Sequence, residues 1–588
     1  MTFQFKPASL ITALISASTL VSMGAHAFDT SANPEASSGM AQGKTAIAAK
    51  KFMAATANPL ATDAAYQILA KGGSAVDAAI AAQAVLGLTE PQSSGLAGGA
   101  FLLTFDGQKV HNYDGRETAP AKINPKIFMT DAGAEKAFYD AVIGGASTGV
   151  PGVLRMLELA HKKEGKLKWA ELFEPAIKLA SNGFAISPRL NSLLAGEKYL
   201  TQDAAAKAYF YQADGVTPKA VGTVLTNPDY AQVLKTIAAK GADGFYKGDI
   251  AKAIVDKVNN HPTNPGSLSL KDMASYQAKE RTAVCGDYRQ YKICGPTAPS
   301  SGGVAVLQIL GALERFNMSA LKPDSVQAVH YFSEAQRLAF ADRGKYLADT
   351  DFVQVPLKGL INPQYIASRS ALITDDKSLG NAAAGEPEGA KVAQLDLGSP
   401  ERISTSNVSI VDANGHAVSM TTSIEDQFGS RQFVKGFLLN NQLTDFSFTP
   451  TNKDGSLVAN RVEPNKRPRS SMAPVLVFDK SGKNLEMIVG SPGGSRIIGY
   501  VAQTLVNLID FKLDPQKAVD APHYGSRNGP KTEVEKGTAL AALIPELKAK
   551  GHDAVEGEMT SGLSAIIKTK DGYLGGADSR REGTVRGD

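Results

Sequence analysis

Thr405 is the residue in this chain placed best to do chemistry. It follows residues 371–404, a stretch rich in Asp, Glu, Gly, Ala and Pro with few large apolar side chains and no aromatic one. From Thr405 the sequence turns to Ser-Asn-Val-Ser-Ile-Val, an alternation that predicts a strand. A threonine hydroxyl is a poor nucleophile unless a base lies beside it. A free α-amine, which titrates near ~7.7–8.0, is such a base when the threonine opens a chain. Attack of the Thr405 hydroxyl on the Ser404 carbonyl, followed by hydrolysis of the resulting ester, would create that amine. The plainer reading is a threonine that merely opens a strand.

Acyl transfer also needs a home for the negative charge of a tetrahedral intermediate. Gly490-Ser491-Pro492-Gly493-Gly494-Ser495-Arg496 lies between an apolar strand pattern and a helical one, so the amides of Gly493 and Gly494 are expected at a helix start, where they stabilise an oxyanion. Without a following Lys-Ser/Thr it is not a phosphate loop. Arg116, in Asp114–Pro120, together with Ser470 and Ser471, could hold a carboxylate by an arginine fork and two hydroxyls. Glu425, Gln442 and Asp445 could face an ammonium group. Taken singly, each is an ordinary loop residue, and a Gly-Gly pair often only permits close packing. A rival motif is Gly145-Ala146-Ser147-Thr148-Gly149, which fits the Gly-x-Ser-x-Gly elbow of α/β-hydrolases and would make Ser147 the nucleophile. Pro151 opens the next helix too late for that geometry, and no Asp-then-His pair follows in suitable loops.

The elements that must position these residues are legible in part. An Ala-rich pattern over 58–86, divided at Gly72-Gly73, predicts two helices, and 95–105 predicts a glycine turn feeding a buried strand. Helical patterns recur at 151–163, 169–181 and 327–348. Beyond Ser404 the chain becomes β-rich, with a hairpin at Asn414-Gly415 and strands at 437–439, 475–478 and 485–489, before a helix through Ile497, Val501, Leu505 and Leu508. Helices, strands and helices again predict layered α/β packing, with 405–588 completing a sheet begun earlier in the chain.

Composition narrows the function classes. At 588 residues and 43% hydrophobic the chain can bury a large core, and a net charge of +4 without a basic run argues against nucleic-acid binding. Residues 1–27 read as a secretory signal: Lys6 precedes an apolar run, and Ala25-His26-Ala27 fits a small-x-small cleavage site. The mature protein is therefore expected in the periplasm or outside the cell, with no further membrane span. There a disulfide between Cys285 and Cys294, which flank a hairpin-like octapeptide, is expected. Two cysteines and eight histidines without Cys-x-x-Cys or His-x-x-x-His spacing support neither a metal nor a cofactor.

Over about 50–585 the motifs together resemble the gamma-glutamyltransferase family, including its cephalosporin-acylase-like members. The resemblance rests on Pro91-Gln92 with Gly98-Gly99, Asp-x-Arg-Glu-x-Ala-Pro at 114–120, Gly149-Val150-Pro151-Gly152, Pro299–Gly303, Leu439-Asn440-Asn441-Gln442, Asn465–Pro468 with Ser470-Ser471, and Gly490–Arg496. It implies an N-terminal-nucleophile hydrolase, a four-layer αββα sandwich made as one precursor and cut between Ser404 and Thr405. The implied products are a large subunit, 28–404, whose residues 371–404 form a mobile pre-cleavage segment, and a small catalytic subunit, 405–588, intertwined as a heterodimer. Thr405 matches the family's nucleophile, Gly493 and Gly494 its oxyanion glycines, and Ser423 the hydroxyl beside the nucleophile. Arg116, Ser470 and Ser471 match the groups on the substrate α-carboxylate, and Gln442 and Asp445 those near its α-amino group.

Three positions depart from the family pattern. Asn407 stands where most members have histidine, and Glu425 where glutathione-cleaving members commonly have asparagine. The segment between Asp445 and Ser470 is short and has no tyrosine for a lid. The expected activity is transfer of a γ-glutamyl group, from a donor such as glutathione, through Thr405 to water or to amino acids and peptides. A glutaryl or cephalosporin-type acylase is the alternative, and an exported binding protein that kept only the fold is a remote one.

Overall fold

The computed structural model describes residues 43–390, 404–452 and 454–588, together with 1, 2, 37, 40 and 41. The expected signal segment, 1–27, lies outside the described residues beyond its first two. Two seven-stranded sheets form the centre. One runs in the order Ile47–Ala49, Gly572–Ala577, Ser564–Thr569, Leu485–Gly490, Val475–Asp479, Tyr291–Gly295, Val284–Tyr288. The other runs Thr584–Gly587, Met53–Thr56, Ser406–Val411, Ala417–Ser423, Gly99–Phe105, Val110–Asp114, Lys279–Arg281. Each interleaves strands from before residue 404 with strands from after it.

Alternation along the strands builds the layers. Val408, Ile410, Val418 and Met420 face outward into a core shared with the helices Pro59–Ala70 and Ala75–Thr89. The alternate residues face the other sheet, where Val411, Ala417, Leu103 and Phe105 meet Leu476, Phe478 and Ile488. A third core lies behind the first sheet, against the helices Gly302–Leu313, Val326–Tyr346 and Ile497–Ile509. Helix, sheet, sheet and helix are thus the four layers expected. The Ala75–Thr89 helix is buried along its whole length, and its small alanines let it lie close to its neighbours. Ser74 and Asp77 form its capping box.

The Asn414-Gly415 turn joins Ser406–Val411 to Ala417–Ser423 as expected, with Gly415 at φ +77° and the Asp412 carboxylate accepting from the amides of Asn414 and His416. Cys285 and Cys294 are register partners in the hairpin Val284–Tyr288/Tyr291–Gly295 and are joined as a disulfide. Of the expected pre-cleavage segment, 371–404, the structure describes 371–390 and Ser404. Residues 371–390 lie as a strap on the helices: the Leu379 amide donates to Glu334 at 2.7 Å, the Gly385 amide to Asp342 at 2.8 Å, and the Ala382 amide to the Asn528 side chain at 2.8 Å. Polar main chain, invisible to a count of apolar residues, fixes it there. Residues 391–403 lie outside the described residues.

Glycine allows the close approach that places one site strand. A Cβ at Gly98 would meet the Ser423 carbonyl oxygen at 2.2 Å, whereas one at Gly95 would meet nothing within 4 Å. Gly98→Ala is expected to cost about 1–3 kcal/mol as overpacking against main chain. Thermal or urea unfolding should show that loss, with Gly95→Ala close to the parent.

Candidate active site

One small cleft gathers residues that stand far apart in the chain. Arg116, Ser404, Thr405, Ser423, Glu425, Gln442, Asp445, Ser470, Ser471 and Gly494 all line it, with Met472 and Ile497. Thr405 immediately precedes the Ser406–Val411 strand, which is held on both sides by Met53–Thr56 and Ala417–Ser423. The Ser404–Thr405 bond is intact, and the Thr405 hydroxyl donates to the Ser404 carbonyl oxygen. The Ser423 hydroxyl donates to that same oxygen at 3.0 Å and lies 3.4 Å from the Thr405 hydroxyl. The Ser404 hydroxyl is tied to the Gln92 carbonyl at 2.7 Å, and Arg581 donates to the Thr405 carbonyl at 3.0 Å. The peptide bond is thus gripped on both sides, with the Thr405 and Ser423 hydroxyls both on its carbonyl oxygen.

Gly493 and Gly494 take φ of +136° and +56°, conformations that favour glycine, and lead straight into the 3-10 turn Gly494–Arg496 and the helix Ile497–Ile509. Their amides therefore sit at a helix start, where partial positive charge gathers. Ser147 is elsewhere: it is buried in the turn Gly145–Ser147, and its hydroxyl donates to the Val142 and Gly144 carbonyls. The elbow-like motif is a packing turn.

The polar wall of the cleft is a linked row. Arg116 donates through Nη2 to Asp445 and to the Arg469 carbonyl, and through Nε to the Pro468 carbonyl at 3.1 Å. Its Nη1 has no hydrogen-bond partner among the described residues. Gln442 donates to Asp445 at 2.7 Å, and Asn441 donates to Glu425. Glu425 sits at φ +81°, a strained position for a residue with a side chain, where the chain turns off the Ala417–Ser423 strand. The Ser471 hydroxyl accepts from Arg343 at 2.7 Å, and Ser470 pairs with Ser300 and Pro299 of the 299–303 turn. All six residues predicted to hold a substrate head group are therefore present, but Asp445 is paired with Arg116 rather than apart from it. Asn407 does not line the cleft; it lies behind Thr405 between the sheets, bonding the hydroxyls of Thr421 and Ser564. The segment from Phe446 to Arg469 packs down, with Phe446, Phe448 and Val462 in a core with Ile123 and Phe128.

Sequence reading missed Gln92, Arg343 and Arg581, which reach the site from far along the chain, and Glu117, which matters through its burial beside Arg116. Glu117 is fully buried against Arg116, its carboxylate 4.0 Å from Nη1 and without a hydrogen-bond partner among the described residues. Burial pushes it up to about 8, against the pull of Arg116. One possible metal-binding group exists among the described residues, His330, Glu334 and His552. Its ring nitrogens are already committed: Thr532 to His552 at 2.9 Å, His552 to His330 at 2.8 Å, and His330 to the Thr374 carbonyl at 2.7 Å. Arg337, Ser378 and the Leu379 amide donate to Glu334. It is a hydrogen-bond relay holding the strap.

The layers and the threonine at the head of a central strand define an N-terminal-nucleophile hydrolase fold. The family model for gamma-glutamyltranspeptidase matches residues 61–587, and the chain belongs to that family. It is 36% identical over 551 residues to a glutathione hydrolase proenzyme of Bacillus subtilis (strain 168), covering 92% of both chains. It is 34% identical over 555 residues to the Acylase ACY 1 proenzyme of Pseudomonas sp. (strain SE83), covering 92% of this chain and 94% of that one. Among solved structures, cephalosporin acylase from Bacillus halodurans matches with a TM-score of 0.79 at 26% identity, over 93% of this chain and 98% of that one.

Glu117 yields a pH dependence. Its folded-state value of about 8 lies above the ordinary 4.5, so between those values the folded protein holds a proton that the unfolded chain has released. Stability from this group is present below pH 4.5 and is lost as pH rises to about 8. Melting temperatures across that window should fall less steeply for Glu117→Gln than for the parent.

Proposed function

We propose that this chain is a precursor that cuts itself between Ser404 and Thr405 and then acts as a γ-glutamyl hydrolase and transferase. The observation that carries this is the Thr405 hydroxyl against the Ser404 carbonyl, with Ser423 donating to the same oxygen. Thr405 Oγ adds to the Ser404 carbonyl carbon and the C–N bond breaks, leaving an ester on Thr405 and a free Thr405 amine. Water hydrolyses the ester, so 28–404 ends at Ser404 and 405–588 begins with the nucleophile. An exported location, periplasmic or secreted, fits the N-terminal sequence. Among the described residues no helix is long and apolar enough to cross a membrane.

In the cut enzyme a γ-glutamyl donor such as glutathione places its α-carboxylate on Arg116 Nη1, Ser470 and Ser471. Its α-ammonium meets Asp445, Glu425 and Gln442. Thr405 Oγ attacks the γ-carbonyl while its own amine takes the hydroxyl proton, and Gly493 and Gly494 hold the oxyanion. The proton passes to the leaving amine, and water or an amino acid or peptide releases the acyl group. Asp445 and Glu425 set two carboxylates against the one Arg116 guanidinium in the cleft, an excess of negative charge that favours a donor bringing a cation. The second reading is a glutaryl or cephalosporin-type acylase, which the likeness to the Pseudomonas acylase supports.

On denaturing electrophoresis the parent should give two fragments and Thr405→Ala one uncut chain. Cleavage of Thr405→Ala at the same bond would end the self-processing reading, and an uncut parent would favour a non-catalytic binding protein. A γ-glutamyl anilide should be cleaved faster than the glutaryl anilide, and the reverse order selects the acylase. Arg116→Lys, which loses the planar fork, should raise KM for the γ-glutamyl anilide by roughly 10- to 100-fold, the weight of a charge-assisted pair.

A further inference from the structure

Within the turn carrying Gly493 and Gly494 the main chain supplies few bonds of its own, the Arg496 amide donating to the Gly493 carbonyl at 3.1 Å and the Ile497 amide to the Gly494 carbonyl. Two consecutive glycines at positive φ bring main-chain freedom to the place where amide direction matters most. On its cleft side stand Gly494 and Ile497. Below it lies the Tyr500 ring, close enough that a Cβ on Gly493 would meet its Cε2 at 2.7 Å. The intervening residues Ser495 and Arg496 are held by a different part of the fold. Arg496 donates through Nη2 to Glu533 Oε1 at 2.8 Å. Arg527 donates through Nη2 to Glu533 Oε2 at 3.3 Å and through Nη1 to the Ser495 hydroxyl at 2.9 Å.

Glu533 belongs to the strand Lys531–Glu535 of a separate three-stranded sheet, between Tyr524–Gly525 and Asp553–Gly557. We propose that Glu533 and Arg527 are positioning residues for the oxyanion turn, clamping it from behind through Arg496 and Ser495. The proposal rests on the reading of Gly493 and Gly494 as oxyanion donors.

The charge count makes the clamp dependent on one carboxylate. Two buried guanidinium groups share Glu533, and among the described residues Arg496 has no other acidic partner. Burial and the Arg496 charge pull Arg527 down to about 10, while Arg527 and Arg496 hold Glu533 below the usual carboxylate range against its burial. Without Glu533 the two cations face each other in a poorly solvated space, and the arrangement must open. The turn would move with it, because Ser495 and Arg496 directly follow Gly494. Neither Glu533 nor Arg527 lines the cleft, so substrate binding should be spared.

The test uses the processed enzyme, a γ-glutamyl anilide, and a boronic acid analogue of glutamate that forms a tetrahedral adduct on the Thr405 hydroxyl. Misdirected oxyanion donors weaken the transition state more than the ground state. Glu533→Gln is expected to lower kcat roughly 10- to 100-fold with KM within about twofold, less than outright removal of an oxyanion donor. Boronate affinity should fall by the same factor. Ser495→Ala, which leaves every charge in place, should shift both in the same direction by less, and Arg527→Lys should retain more activity than Arg527→Gln. Unchanged boronate affinity in Ser495→Ala and Arg527→Gln, or a rise in KM at constant kcat, overturns the clamp. If the parent binds the boronate no better than glutamate, the oxyanion reading itself fails.

Discussion

The structure turns on the approach of its two sheets at Asn407 and Gly490. A Cβ on Gly490 would lie 2.3 Å from the Asn407 side-chain amide, so only glycine lets the strands come this near. Asn407 follows Thr405 by two residues, and Gly490 closes the strand that leads to Gly493 and Gly494. This contact therefore sets the distance between Thr405 and the Gly493-Gly494 turn. Hydroxyls carry the same seam: Ser409 bonds Ser564 at 2.8 Å, and Ser419 donates to the Val489 carbonyl at 3.1 Å. Further along, the inter-sheet space becomes apolar, with Phe105 edge-on to Phe478. Polar contacts fix direction at the chemical end, and apolar packing supplies cohesion at the other.

Charge in the cleft is arranged with similar economy. Asp114 accepts the Arg116 amide and also pairs with Arg281, so the turn that presents Arg116 is fixed from below. Arg116 and Asp445 hold each other in place, and burial, which pushes the neighbouring Glu117 up to about 8, favours its neutral form below that pH. The pair presents opposite charges side by side in the cleft, so its geometry is set before any ligand arrives.

Much of this was legible in the sequence, for identifiable reasons. The hairpin at Asn414-Gly415, the strands around 475–489 and the helix from Ile497 follow from local pattern and turn chemistry. The cleft residues were legible through spaced motifs, not periodicity, since nothing local brings Arg116 to Ser470. What stayed hidden depends on the third dimension: Arg343 reaching Ser471, Arg581 reaching Thr405, and the burial that alters Glu117. The contacts of the strap at 371–390 were not legible because an apolar count cannot see main-chain hydrogen bonds.

The interleaving of the sheets bears on the life of the molecule after a cut. Five strand pairings join residues before 404 to residues after it. A broken Ser404–Thr405 bond leaves all five in place, so neither piece can depart without tearing open the common core. Neither piece holds either of the two central sheets complete. A cut there would then be a one-way mark on a body whose parts stay bound through the strands they share.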